Sequence, residues 1–112
     1  IITTNLNRDS EEEQVIDYIN RYTEKYGFAP DMVGASTYDA FMLLAHVMRQ
    51  VGPDSEAIKD AMYEVEDYMT NTGLLYRYTE VGEAIKPVQV QVVKEGEFHY
   101  YDQITDMDII AP

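Results

Sequence analysis

Between Val15 and Tyr26 apolar residues recur at intervals of four, three and four, as Val15, Ile19, Tyr22 and Tyr26, with Ile16 and Tyr18 beside them. That is the repeat of one helix face, and Gly27 supplies its stop. Ser10 with Glu13 has the form of a capping box, and Glu11 to Glu13 put negative charge where a helix N-terminus favours it, so the pattern predicts a helix over 11–26. Phe41, Leu44, Ala45, Met48 and Val51 carry a second helical stripe, from about Gly34 to the Gly52–Pro53 break. Asp54 or Ser55 then caps a third helix, predicted over 55–69, whose stripe is Ile58, Ala61, Met62, Val65 and Met69.

After Thr70–Gly73 the period changes from that of helices to that of strands. Leu74 to Tyr78 reads as one strand, and a turn at Gly82 follows. Val88, Val90 and Val92 alternate with Gln89 and Gln91, Lys94 to Glu97 forms a hairpin turn, and Phe98 to Tyr101 is the return strand. Ile1 to Thr4 is a short β-branched run that ends in a polar connector, while Thr105 to Pro112 is too short to assign. Strands at both ends and helices in between make an α/β chain, with a sheet that these strands alone do not complete.

The 112 residues suit one domain, and a hydrophobic fraction of 46% with 26% charged residues is ordinary for a soluble globular protein. Eight Lys and Arg against 21 Asp and Glu give a net charge of -13, which repels phosphate backbones and anionic lipid and argues against a nucleic-acid partner. The absence of cysteine removes disulfides, thiolate nucleophiles and the common structural zinc sites. No apolar run approaches the roughly 18 residues of a membrane span. The first residue is Ile1 rather than Met, as expected of a processed or excised piece.

Little catalytic chemistry is visible. His46 and His99 fall on different predicted elements without a second ligand at metal spacing, and Ser36 and Thr37 lack a nucleophile-elbow context. Neither a metal, nor a cofactor, nor an enzyme is indicated. Ten tyrosines and no tryptophan are distinctive, because a tyrosine offers a flat apolar ring with a polar tip suited to small-molecule clefts, although most serve in packing.

Arg21 to Gly52 reads RYTEKYGFAPDMVGASTYDAFMLLAHVMRQVG. This run resembles the leucine, isoleucine and valine binding proteins and their relatives, the type I periplasmic solute-binding proteins. In that family Tyr-x-x-x-Tyr-Gly is followed by Pro, then Tyr-Asp-Ala and a long apolar helix ending in Gly. The matching positions are Tyr22, Tyr26, Gly27, Pro30, Tyr38, Asp39, Ala40 and Gly52. DSEAIKDAMYEVEDY is similar to the family's next helix, and VQVQVVKEGEFHYY to its closing strand pair. The Gly73 to Gly82 interval is one residue longer than the family's, and the family's Phe-Asp before the turn is not evident.

The resemblance implies the C-terminal segment of a two-lobed type I periplasmic-binding-protein fold, with three consecutive helices packed on strands and a closing β-hairpin. Residues 8–87 would lie mostly in one lobe, and 1–7 with 88–105 mostly in the other lobe or in hinge crossings near Asn5–Arg8, Ile85–Val88 and Gln103–Asp106. Tyr38 is the one residue it nominates for ligand contact, on the expectation that it opens a helix at the cleft, where free N–H groups also await a partner. Asp39 would be a first-turn charge favourable to the helix dipole. The implied function is extracytoplasmic capture of a small solute, an amino acid or related small acid, for a membrane ABC transporter permease. A ligand-sensing domain of a receptor or regulator, or an acidic α/β interaction module, remains the alternative. Unpaired strand edges would also allow the chain to associate with itself.

Overall fold

The computed structural model describes residues 1–111. The elements run β1 (Ile2–Thr4), α1 (Glu13–Tyr26), α2 (Met32–Val51), α3 (Ser55–Tyr63), β2 (Tyr68–Thr70), β3 (Gly73–Leu75), β4 (Arg77–Tyr78), β5 (Ala84–Ile85), β6 (Val88–Lys94), β7 (Glu97–Ile104) and α4 (Met107–Ile110). Helices α1 to α3 and the small ribbons β2–β3 and β4–β5 form one body, and β1, β6 and β7 form a separate antiparallel sheet in that spatial order, β1–β6–β7.

The helix boundaries have local causes. α1 starts two residues later than the capping-box pattern predicts, because the Ser10 hydroxyl accepts from Glu12 N at 3.2 Å and spends itself on a turn before the helix. Its first carbonyl acceptor is Glu12 O, which takes the Val15 and Ile16 amides at 3.0 Å each. α2 starts at Met32, capped by Asp31, whose carboxylate accepts from Gly34 N at 2.7 Å. The Asp54 carboxylate caps α3 in the same way, accepting from Ala57 N at 2.9 Å.

Two expectations about these helices need correction. The third helix stops at Tyr63 instead of running to 69, and Tyr68–Thr70, Met69 included, forms strand β2. Asp67 takes a left-handed φ of 49° and its amide donates to Tyr76 O, so the chain leaves the helix to pair with the strand returning from Gly73. On α2 the buried line is Ala35, Asp39, Leu43 and Val47, whereas Phe41, Leu44, Met48 and Val51 of the predicted stripe are exposed. The helix is apolar nearly all round, as helices enclosed on several sides are, so periodicity alone could not say which face this chain covers.

The predicted strand Leu74–Tyr78 is divided at Tyr76. Its carbonyl accepts from Asp67 and its amide donates to Ile85 O at 2.9 Å, so the chain passes there from pairing with β2 to pairing with β5. The closing hairpin forms as expected, with Glu95 and Gly96 both at positive φ in its two-residue loop. Its register shifts between Val90 and Gln91, leaving Tyr101 as the extra residue on β7. On β6 the glutamines are the buried face: Gln91 Nε2 donates to Leu6 O at 3.0 Å, while the valines are half-buried or exposed.

Two apolar clusters hold the helical body together. Leu6, Val15, Tyr18 and Ala35 join α1 to α2, and Leu43, Val47 and Leu75 gather α3 and the ribbons. The molecule measures 48 × 38 × 19 Å with a radius of gyration of 15.2 Å, against about 13 Å for a compact chain of this length. It is a plate, only about two layers thick.

Candidate functional site

Tyr38 lies on α2, two turns in from Asp31, and does not open that helix as expected. Two residues, Met32 and Val33, already carry the helix ahead of Gly34, so the amides that would greet an anion lie well before Tyr38. Its ring is half-buried against the first apolar cluster, with its centroid 4.9 Å from that of Tyr18. It lines two grooves of ≈ 430 Å³ each, one shared with Asp17, Arg21, Met42 and Tyr68, the other with Tyr22, Lys25, Tyr26 and Phe41. A tyrosine so placed can cover an apolar group with its ring edge while Arg21 stands beside it, although Arg21 is already paired with Asp17 at 3.2 Å.

Asp39 is not a solvated first-turn charge either. It is buried, and both carboxylate oxygens are saturated by the β2–β3 turn. Oδ1 accepts from the Asn71 amide and side-chain Nδ2, and Oδ2 from the Thr72 amide, all at 2.9 Å; Oδ2 also accepts from the Thr72 hydroxyl at 2.7 Å. Such charge-assisted bonds are stronger than neutral ones and repay the desolvation of a carboxylate. Asp39 therefore fixes a tight turn onto the helix that carries Tyr38.

Lys86, in the segment between β5 and β6, completes this cluster. Its ammonium donates to Thr70 Oγ1 at 2.7 Å and to Thr72 Oγ1. Burial pushes the amine below its ordinary pKa of 10.5, and the nearby Asp39 carboxylate works in the opposite direction. Tyr18, on the far side of Tyr38, is pushed up to about 12, first by burial and then by the neighbouring phenol of Tyr22 and carboxylate of Asp39.

A larger cavity of ≈ 570 Å³ opens where the helical body meets the sheet, lined by Asn5, Asp9, Asn71, Gln89 and Tyr100 among others. At its edge Asp9 Oδ2 accepts the Tyr100 amide at 2.7 Å and lies 3.5 Å from His99 Nδ1. His46, by contrast, is on α2 beside Gln50 and Tyr68. The two histidines thus sit on separate bodies, and among the described residues no group of three His, Cys, Asp or Glu side chains is placed to hold a metal. Sequence reasoning missed Lys86, Thr70 and Thr72; the available signal was a lysine inside the apolar run Ala84–Val88 of a strongly acidic chain.

This arrangement, a helical α/β body joined to a second sheet by short connecting segments, matches part of the type I periplasmic-binding-protein fold in solved structures. A leucine binding protein, LivK, from Thermotoga maritima superposes with a TM-score of 0.80 at 28% identity over 96% of this chain and 31% of its own. A branched-chain amino acid ABC transporter protein from Rhodospirillum rubrum, described as putative, gives 0.73 at 26% over 88% and 29%. The LivJ protein of Streptococcus pneumoniae, solved in complex with isoleucine, shares the fold, at 0.78 and 18% identity over 91% and 29%. No curated protein sequence matches. Residues 1–97 match the periplasmic binding protein family, and the chain belongs to it. It spans about a third of the length of these solved structures.

Proposed function

We propose that this chain is part of an extracytoplasmic solute-binding protein that captures an amino acid or a related small acid and delivers it to the permease of an ABC transporter, without catalysing a reaction. The observation that carries the reading is the family match over residues 1–97, together with the 28% identity to a leucine binding protein across nearly the whole chain. Among the described residues no helix is long and apolar enough to cross a membrane. In this reading residues 8–87 belong mostly to one lobe, 1–7 and 88–105 mostly to the other or to the hinge, and Tyr38 touches the ligand.

The role of Tyr38 is tested by calorimetry on the full-length protein. If its hydroxyl gives the ligand one hydrogen bond, Tyr38→Phe weakens binding by about 0.5–1.5 kcal/mol. Tyr38→Ala loses more, since burying an aromatic ring is worth roughly 1.5–3 kcal/mol. Unchanged affinity in Tyr38→Ala with a large fall in stability would make Tyr38 a packing residue and remove it from the site.

A further inference from the structure

The hydrogen bonds around Lys86 run in one direction only. An ammonium donates and cannot accept, so both threonine hydroxyls must send their own protons elsewhere. Thr72 donates to Asp39 Oδ2 at 2.7 Å and Thr70 donates to Gly73 O at 2.6 Å. The two hydroxyl oxygens, 3.2 Å apart, therefore need no proton between them. Each Asp39 oxygen already holds two donors, so Lys86 reaches that carboxylate through Thr72 and not directly. Cation, hydroxyl and anion form a relay from the segment after β5 to the residue next to Tyr38.

We propose that Lys86 is a positioning residue: through Thr70, Thr72 and Asp39 it fastens the Ile85–Lys86 segment to the turn of α2 that carries Tyr38. Neighbouring contacts agree with this. Ile85 is 1% exposed and its carbonyl holds the Tyr76 amide, so the chain up to Lys86 travels with the helical body. From Pro87 onward it enters β6 and the other sheet. Bending between the two bodies on this strand is thereby confined to the residues after Lys86. Only the consequence for ligand, through Tyr38, rests on the function proposed above; the fastening itself does not.

Lys86→Met keeps the aliphatic stem and removes the donors. In native-state hydrogen exchange on the full-length protein, the Asn71, Thr72 and Tyr76 amides of Lys86→Met should exchange about tenfold faster, as loss of one net charge-assisted bond predicts. The Leu43 and Val47 amides of the α2 core should keep their rates. Unchanged rates at Asn71 and Thr72, or acceleration shared equally by Leu43 and Val47, would overturn the proposal. The unsubstituted full-length protein gives a second reading that does not depend on the variant folding. A relay-bound ammonium should show a resolved Lys86 Nζ–H resonance with Overhauser contacts to the Thr70 and Thr72 methyl groups, and its absence at low temperature and mildly acid pH would also overturn it. Neither measurement uses a ligand, so failure of Tyr38 to bind one would leave both results standing.

Discussion

Tyr18 keeps a phenol hydroxyl in a place where no side chain or backbone group accepts its proton. The ring packs well, in contact with Leu6, Val15 and Ala35, so its cost lies in the oxygen alone. Tyr18→Phe should therefore raise stability, by up to about 1 kcal/mol in urea denaturation, since an unsatisfied buried polar group is a net loss. The same residue shapes the alkaline limit. Its folded pKa, about 12, exceeds the ordinary 10.0, so the neutral phenol is favoured by folding. The associated stability is complete below pH 10 and is lost as pH rises through 12. Tyr78, also raised by burial, acts in the same sense. Tyr18→Phe should hold its melting temperature further into that window than the parent; an identical decline in both would place the effect elsewhere. Asp39→Ala should be the most damaging single change near the site. It strands four donors of Asn71 and Thr72, and a loss of about 3 kcal/mol or more is expected by denaturant titration.

At the scale of elements, the signals that rest on the backbone's own demands were legible. Glycines at 27 and 52 end α1 and α2, Asp54 caps α3, and the Val–Gln alternation gives β6. What was illegible depended on partners distant in sequence. Nothing near Val65 announces that Asp67 will pair with Tyr76, and nothing in α2 tells which of its apolar lines faces Leu75. The family resemblance nominated Tyr38 at the start of a helix, whereas Tyr38 lies two turns inside α2, and the meaning of Asp39 needed the turn 32 residues further on. The hairpin offers an element-scale test. Glu95 sits at φ 53°, where Asn or Gly is favoured, so Glu95→Asn should raise the melting temperature, corresponding to about 0.5–1 kcal/mol. A lower melting temperature would mean that the Glu95 side chain contributes more than its backbone strain costs.

Over the whole molecule, the accessible surface of 7606 Å² exceeds the roughly 6,300 Å² of a compact monomer of this mass. Large apolar side chains are among those exposed. Val33, Phe41, Met42 and Met48 on α2 are exposed, as are Phe98, Tyr100 and Tyr101 on the open edge strand β7. The solved relatives are about three times as long as this chain. Alone, this chain should self-associate through these exposed faces, and sedimentation velocity should show the weight-average mass rising with concentration. A strictly monomeric species at high concentration would contradict this.

The proposed role in an amino-acid receptor is tested by calorimetric titration of the full-length protein with leucine, isoleucine, valine and a panel of other small amino acids and carboxylic acids. Saturable binding of at least one of them, one ligand per protein, is the expected result. Absence of heat and of thermal stabilisation with every member of the panel at millimolar concentration would contradict it.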